Sequence, residues 1–310
     1  MESVLVTGGA GFIGSNIAER LLEEGFGVRV LDNVSTGNVE NLSGLEGIEV
    51  IKGDIRDAEV VNKAVAGVDC VFHQAALPSV TRSVKNPMEC HECNVTGSLN
   101  LMEAVRKNDV RKVVYASSSS VYGDTVELPK KESMELRPLS PYAASKVSME
   151  YYFYAFNKVY GLDSIGLRYF NVYGIRQAPE SEYAAVIPKF IHSVLCGLRP
   201  VIYGDGKQTR DFTFVKDVVL ANLLAMRSRT HGHDVFNVGC GKSITINELL
   251  DTINTLAGKD SRAEFKPPRE GDIKDSLADI TKARDKLSFS PEYDIERGLR
   301  ETIDWFKKRN

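Results

Sequence analysis

The chain has 310 residues, 43% of them hydrophobic and 26% charged, an ordinary globular composition with room for one large domain or two unequal ones. Lys and Arg total 39 against 42 Asp and Glu, so no basic excess points to nucleic acid or an anionic membrane surface. Five cysteines are too few for a disulfide scaffold; Glu2 stands where a signal peptide has a basic start, and glycines interrupt the apolar run at once. No apolar stretch reaches the roughly 18 residues of a membrane span. A cytoplasmic protein is the expectation.

In chain order, Ser3-Val-Leu-Val6 is a short apolar run that ends in Thr7-Gly8-Gly9. Residues 12–24 then carry Phe12, Ile13, Ile17, Leu21 and Leu22 at helical spacing, with Gly25 as a stop. Runs of strand length follow at 28–31, 48–51, 70–72 and 112–116, and again at 164–167 and 235–238. Strands separated by helices read as βαβ units, hence an α/β fold with a doubly wound parallel sheet covered on both faces. The last 70 or so residues differ. Thr245-Ile-Asn-Glu248 fits a capping box for a helix through Leu256, with Gly258 after it. Residues 266–271 read as a loop, and 294–308 as an amphipathic helix with Ile295, Leu299, Ile303 and Phe306 on one face. A smaller, mostly helical region packed against the sheet is expected.

Gly8-x-x-Gly11-x-x-Gly14 follows the first strand and opens the first helix. Glycines there permit positive φ and close approach to a pyrophosphate, which the helix N-terminus attracts. Asp32 ends the second strand, 24 residues after Gly8, where an acid accepts from a ribose 2′-OH and repels a 2′-phosphate. That favours NAD over NADP; the alternative is a turn formed with Asn33. Asp54 and Ile55 can flank the adenine, and Gln74, Ala75 and Ala76 can line the cofactor backbone.

Ser140-Pro141-Tyr142-Ala-Ala-Ser145-Lys146 has an N-cap and a first-turn proline, and puts Tyr142 and Lys146 on one helical face. A phenol with a pKa of about 10 is a poor base at neutral pH, and a nearby ammonium favours its phenolate. The pair is a candidate general acid/base; the alternative is a surface Tyr over a Lys. The serines from Ser117 to Ser120 sit at the carboxyl end of a strand, where open α/β sheets bind ligands, although such a run is also a common turn. Cys90-His-Glu-Cys93 lacks the second pair of a structural zinc site and reads as structural cysteines on a helix; no metal is expected.

Together these residues resemble the extended short-chain dehydrogenase/reductase family, and within it the NAD-dependent UDP-sugar 4-epimerases. The resemblance spans essentially the whole chain. It rests on Thr7-Gly-Gly-Ala-Gly-Phe-Ile-Gly14, Asp32-Asn33, Asp54-Ile55, His73-Gln-Ala-Ala76, Asn94-Val-x-Gly97 and Ser117-Ser-Ser-Ser-Val-Tyr-Gly123. Further on come Tyr142-x-x-x-Lys146, Leu167-Arg-Tyr-Phe-Asn-Val-Tyr-Gly174, Gly204-Asp-Gly206, Thr209-Arg-Asp-Phe212 and Arg269-x-Gly-Asp272. The serine run and the Tyr-Ala-Ala-Val-Ile-Pro-Lys stretch at 183–189 look most like epimerases acting on UDP-N-acetylglucosamine.

The resemblance implies a Rossmann domain of residues 1–170 plus 214–242, and a UDP-sugar-binding part of 171–213 plus 243–310. It implies Tyr142 as catalytic base, Lys146 as its tuner and a cofactor ligand, and Ser118 as the catalytic hydroxyl. On the cofactor side it adds Gly8, Gly11, Phe12, Ile13, Gly14, Asp32, Asn33, Ser35, Thr36, Gly37, Asp54, Ile55, Gln74, Ala75, Ala76, Asn94 and Phe170. On the substrate side it adds Ser79, Ser119, Asn171, Ala185, Val186, Lys189, Val201 and Tyr203, with Arg210 and Arg269 clamping the diphosphate and Asp272 on a ribose. Ser276 matches a gate position beside the sugar, where serine leaves room for a 2-acetamido group unless the pocket is filled from elsewhere; Pro78 stands at a position that varies among relatives. The activity implied is inversion at C4 of a UDP-hexose through a transient 4-keto sugar, by a homodimer. Dehydratases of this fold resemble Thr-Asp-Glu-Val-Tyr-Gly where this chain has Ser118-Ser-Ser-Val-Tyr-Gly, and UDP-glucuronate 4-epimerases resemble Phe-Thr-Val-Tyr-Gly at Phe170-Asn171. A decarboxylase, or an NAD-binding sensor without catalysis, is the remaining alternative.

Overall fold

The computed structural model describes residues 2–178, 185–268 and 274–309. The first half alternates as expected: β1 (Ser3–Thr7), α1 (Phe12–Glu23), β2 (Gly27–Asp32), β3 (Glu49–Lys52), α2 (Ala58–Val65) and β4 (Cys70–His73). Then come α3 (Val80–Lys85), α4 (Pro87–His91), α5 (Gly97–Lys107), β5 (Lys112–Ser118), α6 (Pro141–Tyr160) and β6 (Ser164–Tyr169). A single π turn, Glu92–Thr96, joins α4 to α5 and carries Cys93. The second half holds β7 (Val172–Tyr173), α7 (Val186–Leu195), β8 (Val201–Tyr203), β9 (Thr209–Arg210), β10 (Thr213–Phe214), α8 (Val215–Arg227) and β11 (His233–Val238). It closes with β12 (Ile244–Thr245), α9 (Ile246–Ala257), β13 (Glu264–Lys266), α10 (Thr281–Leu287) and α11 (Ile295–Lys307).

Seven strands form one parallel sheet in the order β11-β6-β5-β4-β1-β2-β3. Strand order reverses between β1 and β4, and at such a switch point the loops leave in opposite directions and open a crevice. Val4, Leu5, Val6, Val71, Phe72, Val113 and Val114 are buried, as strands covered on both faces must be. One face packs with Ile17 and Leu21 of α1 and Val218 of α8. The other packs with Val61 of α2, Leu101 of α5, and Met149 and Phe153 of α6.

A third apolar cluster lies off the sheet, where Ile187 and Phe190 of α7 meet Leu249 and Ile253 of α9 and Leu299 and Ile303 of α11. The capping box at Thr245–Glu248 forms, and Asp294 caps α11 through its bond from Arg297 N. This region is less purely helical than its sequence pattern: β7 pairs with β10, β8 with β13, and β9 with β12. Lys266, read as the start of a loop, is the last residue of β13. α10 falls within the stretch 243–310, yet its Ala283 and Leu287 pack in the sheet's own cluster. Among the described residues, no helix is long and apolar enough to cross a membrane.

A line of hydrogen bonds fixes the ends of β1 and β4. Ala75 N donates to Thr7 Oγ1 (3.3 Å), and Thr7 Oγ1 lies 2.8 Å from His73 Nδ1. His73 Nε2 is 2.8 Å from Ser98 Oγ, which donates to the Asn94 carbonyl at 2.6 Å. Because the Ser98 proton is used on Asn94, Ser98 accepts from the ring; this assigns the Nε2–H tautomer, with Nδ1 accepting from Thr7. Burial, helped by the Lys146 charge, pulls the His73 pKa down to about 3. The unfolded ring takes a proton below its usual 6.5 and the folded ring does not, so His73 removes stability as pH falls from 6.5 toward 3. Unfolding free energies measured from pH 7 to 4 should therefore fall less steeply in His73→Gln than in the parent, by up to ~1.4 kcal/mol per pH unit. Parallel curves would mean that His73 does not stay neutral.

Candidate functional site

The crevice at the switch point holds a cavity of about 1060 Å³. Gly8, Gly11, Phe12, Ile13, Gly14, Asp32, Asn33, Ser35, Thr36 and Ile55 line its first end, with Gln74, Ala75 and Ala76 above them. Gly8 has φ +69°, and a Cβ there would stand 2.7 Å from Ala75 N; a Cβ at Gly14 would drive into the Gly8 carbonyl. No side chain caps the α1 N-terminus at Gly11, so its first N–H groups are left for an anion. This cradle fits a dinucleotide pyrophosphate.

Asp32 makes the turn and also lines the cavity. Its Oδ1 accepts from Val34 N at 2.7 Å, and its Oδ2 accepts from Ala10 N at 2.9 Å inside the glycine turn. Asn33 Nδ2 donates to Asp54 Oδ2 at 2.7 Å, and the Arg56 guanidinium holds that carboxyl far below the usual carboxylate range. Asp54 thus orients Asn33 from behind and does not line the cavity. Gly37 does not line it either; it packs against Ala10, 2.9 Å from where its own Cβ would be. Asn94 acts from below: its Oδ1 accepts from Leu77 N (2.7 Å) and its Nδ2 donates to Ser145 Oγ (2.9 Å). It ties the loop after β4 to the second turn of α6.

Ser118, Ser119, Ser120, Tyr142 and Lys146 line the middle of the cavity. Ser140 caps α6 by accepting from Ala143 N at 3.1 Å, and Pro141 fills the first turn. Ser117 and Ser118 both border the cavity, but the Ser117 hydroxyl turns inward to Glu150, whereas Ser118 stands in the cavity with Tyr142. Lys146 is 3% exposed, and its Nζ donates to the Ala116 carbonyl at 2.8 Å, 5.8 Å from the Tyr142 ring centre. Burial pushes the Tyr142 phenol up to about 12, opposed by its bond to Ser118, and pulls the Lys146 ammonium down to about 8. Burial is the largest cause of both shifts.

Phe170 and Asn171 lead from this cavity toward a second one of about 250 Å³. Ala185, Val186, Val201, Tyr203 and Arg210 line the second, and Asn171, Val172, Ala185 and Arg210 border both. Asn171 has φ +33°, a strained position for a side-chain-bearing residue, and its Nδ2 donates to the Asp211 carbonyl at 2.9 Å. Arg210 Nη1 donates to the carbonyls of Thr209 (2.8 Å) and Lys274 (3.0 Å). Ser79 and Ser276 line the large cavity, Ser276 held through its N–H to Thr209 O at 3.1 Å. Lys189, on α7, lines neither. Arg269 and Asp272 lie outside the described residues.

Sequence reasoning missed several lining residues. Gln208 lines the small cavity and Gln177 and Asp275 the large one. Gln208 precedes Thr209-Arg-Asp-Phe212 and Asp275 precedes Ser276, so adjacency was a usable signal; Gln177 offered none. Phe190 stands four residues after Val186 on α7 and follows from helical spacing.

A family model described as the NAD dependent epimerase/dehydratase family matches residues 4–239. A UDP-glucose 4-epimerase of Mycolicibacterium smegmatis is 42% identical over 311 residues, covering 99% of each chain. A solved UDP-N-acetylglucosamine 4-epimerase of Methanobrevibacter ruminantium, in complex with UDP-N-acetylmuramic acid, is 46% identical with a TM-score of 0.96, covering 100% of this chain and 99% of that one. A solved UDP-glucose 4-epimerase of Thermus thermophilus, complexed with NAD, is 40% identical with a TM-score of 0.90, covering 98% and 99%. With the phosphate turn, the Tyr–Lys helix and the seven-stranded order all in place, the chain belongs to the NAD-dependent epimerase/dehydratase family.

Proposed function

We propose that this chain inverts C4 of a UDP-hexose with NAD as resident cofactor, acting on UDP-glucose and UDP-galactose and on their N-acetylated counterparts. The observation that carries this reading is the Ser118, Tyr142 and Lys146 set at the end of β5, in a cavity that shares Asn171 and Arg210 with a smaller, apolar-walled one. Solved relatives that act on UDP-glucose and on UDP-N-acetylglucosamine support it.

In this scheme the glycine turn and the α1 N-terminus take the pyrophosphate, Asp32 a ribose hydroxyl, and Lys146 the nicotinamide ribose. NAD, when bound, would supply the acceptor and donor of the C4 hydride. Tyr142 takes the 4-OH proton, directly or through Ser118, and returns it after the 4-keto sugar has turned. The small cavity seats the uridine between Ala185, Val186 and Tyr203. Arg210, joined by Arg269, grips the diphosphate as a fixed cation suited to two phosphate oxygens and holds it while the sugar turns. Ser276 leaves space beside C2.

The first test is a product assay with UDP-galactose and UDP-N-acetylglucosamine, each given separately. Tyr142→Phe should lower kcat at least ~10³-fold and leave UDP binding by calorimetry unchanged; full activity would remove Tyr142 from the scheme. If the parent makes no epimer from either sugar while NAD is bound, an acidic UDP-sugar becomes the next substrate to try. Ser276→Tyr should lower kcat/KM for the N-acetylated sugar at least ~10-fold more than for UDP-galactose, the scale of a steric clash in a shaped pocket. Equal losses on both would sink the gate assignment.

The same reading makes the protein a cytoplasmic homodimer, and five free cysteines suit a reducing compartment. α6 leaves Tyr151, Tyr154, Val159 and Tyr160 half or more exposed, an apolar surface that association would cover. Sedimentation should give twice the chain mass, and Tyr151→Glu should shift it toward one; a monomeric parent at micromolar concentration contradicts the dimer.

A further inference from the structure

One buried carboxylate beneath the serine run has no part in that scheme. Glu150 lies on α6 one turn after Lys146 and is 5% exposed. Its Oε1 accepts from Ser117 Oγ and from Arg168 Nε (2.9 Å), and its Oε2 accepts from Arg168 Nη2 (2.7 Å). Ser117 and Arg168 are register partners on β5 and β6. Arg168 Nη1 also donates to Tyr122 Oη at 2.8 Å, and Tyr122 donates to Asn237 Oδ1 of β11 at 2.6 Å. One carboxylate therefore binds a helix to two neighbouring strands, and the guanidinium carries the connection to a third.

A carboxylate four residues after an ammonium on a helix is placed to take it as a partner. Here the Arg168 fork occupies both oxygens, and Lys146 Nζ goes to the Ala116 carbonyl instead. α6 is consequently anchored to consecutive residues of β5, through Lys146 on Ala116 and through Glu150 on Ser117. The next residue, Ser118, lines the cavity together with Tyr142 of that helix. Desolvation offsets much of the attraction in a buried ion pair, so geometry is the larger part of what this pair supplies.

We propose that Glu150, held by Arg168 and Ser117, is a positioning residue for proton transfer: it fixes the rotation of α6 against β5 and leaves Lys146 turned to the cavity. The proposal rests on the assignment of Tyr142 and Lys146 given above. Ser117→Ala cuts the tie between Glu150 and β5 and keeps the ion pair. It should lower kcat for UDP-galactose about tenfold, within the ~10² that a 1 Å misplacement can cost, with KM and bound NAD unchanged. Ser117→Thr, which restores the hydroxyl, should recover most of that loss. Glu150→Gln should lower kcat further, again without a change in KM; if that variant fails to fold, Ser117→Ala still decides. Parent kcat in Ser117→Ala overturns the proposal, as does a loss that appears in KM or in bound NAD, or one that threonine does not repair. Tyr142→Phe is assayed alongside. An active Tyr142→Phe removes the catalytic assignment itself, whereas an inactive one beside a normal Ser117→Ala removes only the role of Glu150.

Discussion

The backbone after β4 crosses the phosphate turn so closely that Gly8 has room only for hydrogen, with Ala75 N 2.7 Å from where a Cβ would stand. That approach is held from beneath. Ala75 is tied to Thr7, Thr7 to His73, His73 to Ser98 and Ser98 to Asn94, and Thr7, His73 and Ser98 each accept from one neighbour and donate to the next. Asn94 then reaches Ser145 in the second turn of α6, and Ser145 donates to the Tyr142 carbonyl at 2.7 Å. The phosphate cradle and the tyrosine helix are thus two ends of one hydrogen-bonded line.

The rest of the chain is joined to this frame by buried carboxylates that bind backbone amides. Asp211, fully buried, accepts from the N–H groups of Ala278 (3.1 Å), Cys240 (2.8 Å) and Gly241 (3.0 Å). Asp217 accepts from Glu292 N (2.8 Å) and Tyr293 N (3.3 Å) just before α11. Burial pushes both up to about 6, with the amide bonds pulling the other way. A carboxyl raised in this way favours the folded state most at low pH, and that contribution is lost as pH rises to about 6. Above that the amides are what make the two charges tolerable, and through Asp211 they hold the segment that carries Ser276 beside the strand that carries Arg210.

The alternating half was legible because parallel strands covered on both faces read as Val and Ile runs between helical patterns. The ends of those strands were not. β5 runs on to Ser118, past the expected stop at residue 116, because Ser117 is satisfied inside by Glu150, and hydropathy cannot see a hydroxyl with a buried partner. The glycine turn and the Tyr142–Lys146 spacing could be read directly, since each depends on local geometry. The charge balance between them could not, since it depends on burial by distant elements. α10 shows the same limit: its apolar stripe says that it packs, not which surface it packs on. The pairs β7 with β10 and β9 with β12 span two residues each, too few for any periodicity, and Asp275 meets Thr209 across 66 residues of chain (2.7 Å).

Phe12 and Ile13 belong to two structures at once. They open α1 at the phosphate turn and line its cavity, and they also pack against the third apolar cluster with α7, α9 and α11. A dinucleotide seated on that turn therefore has the wall of another core at its back. Shifting that turn would mean prying apart hydrocarbon, which resists in proportion to the area exposed. The footing of the phosphate turn is thus made of apolar contacts, which weaken on cooling.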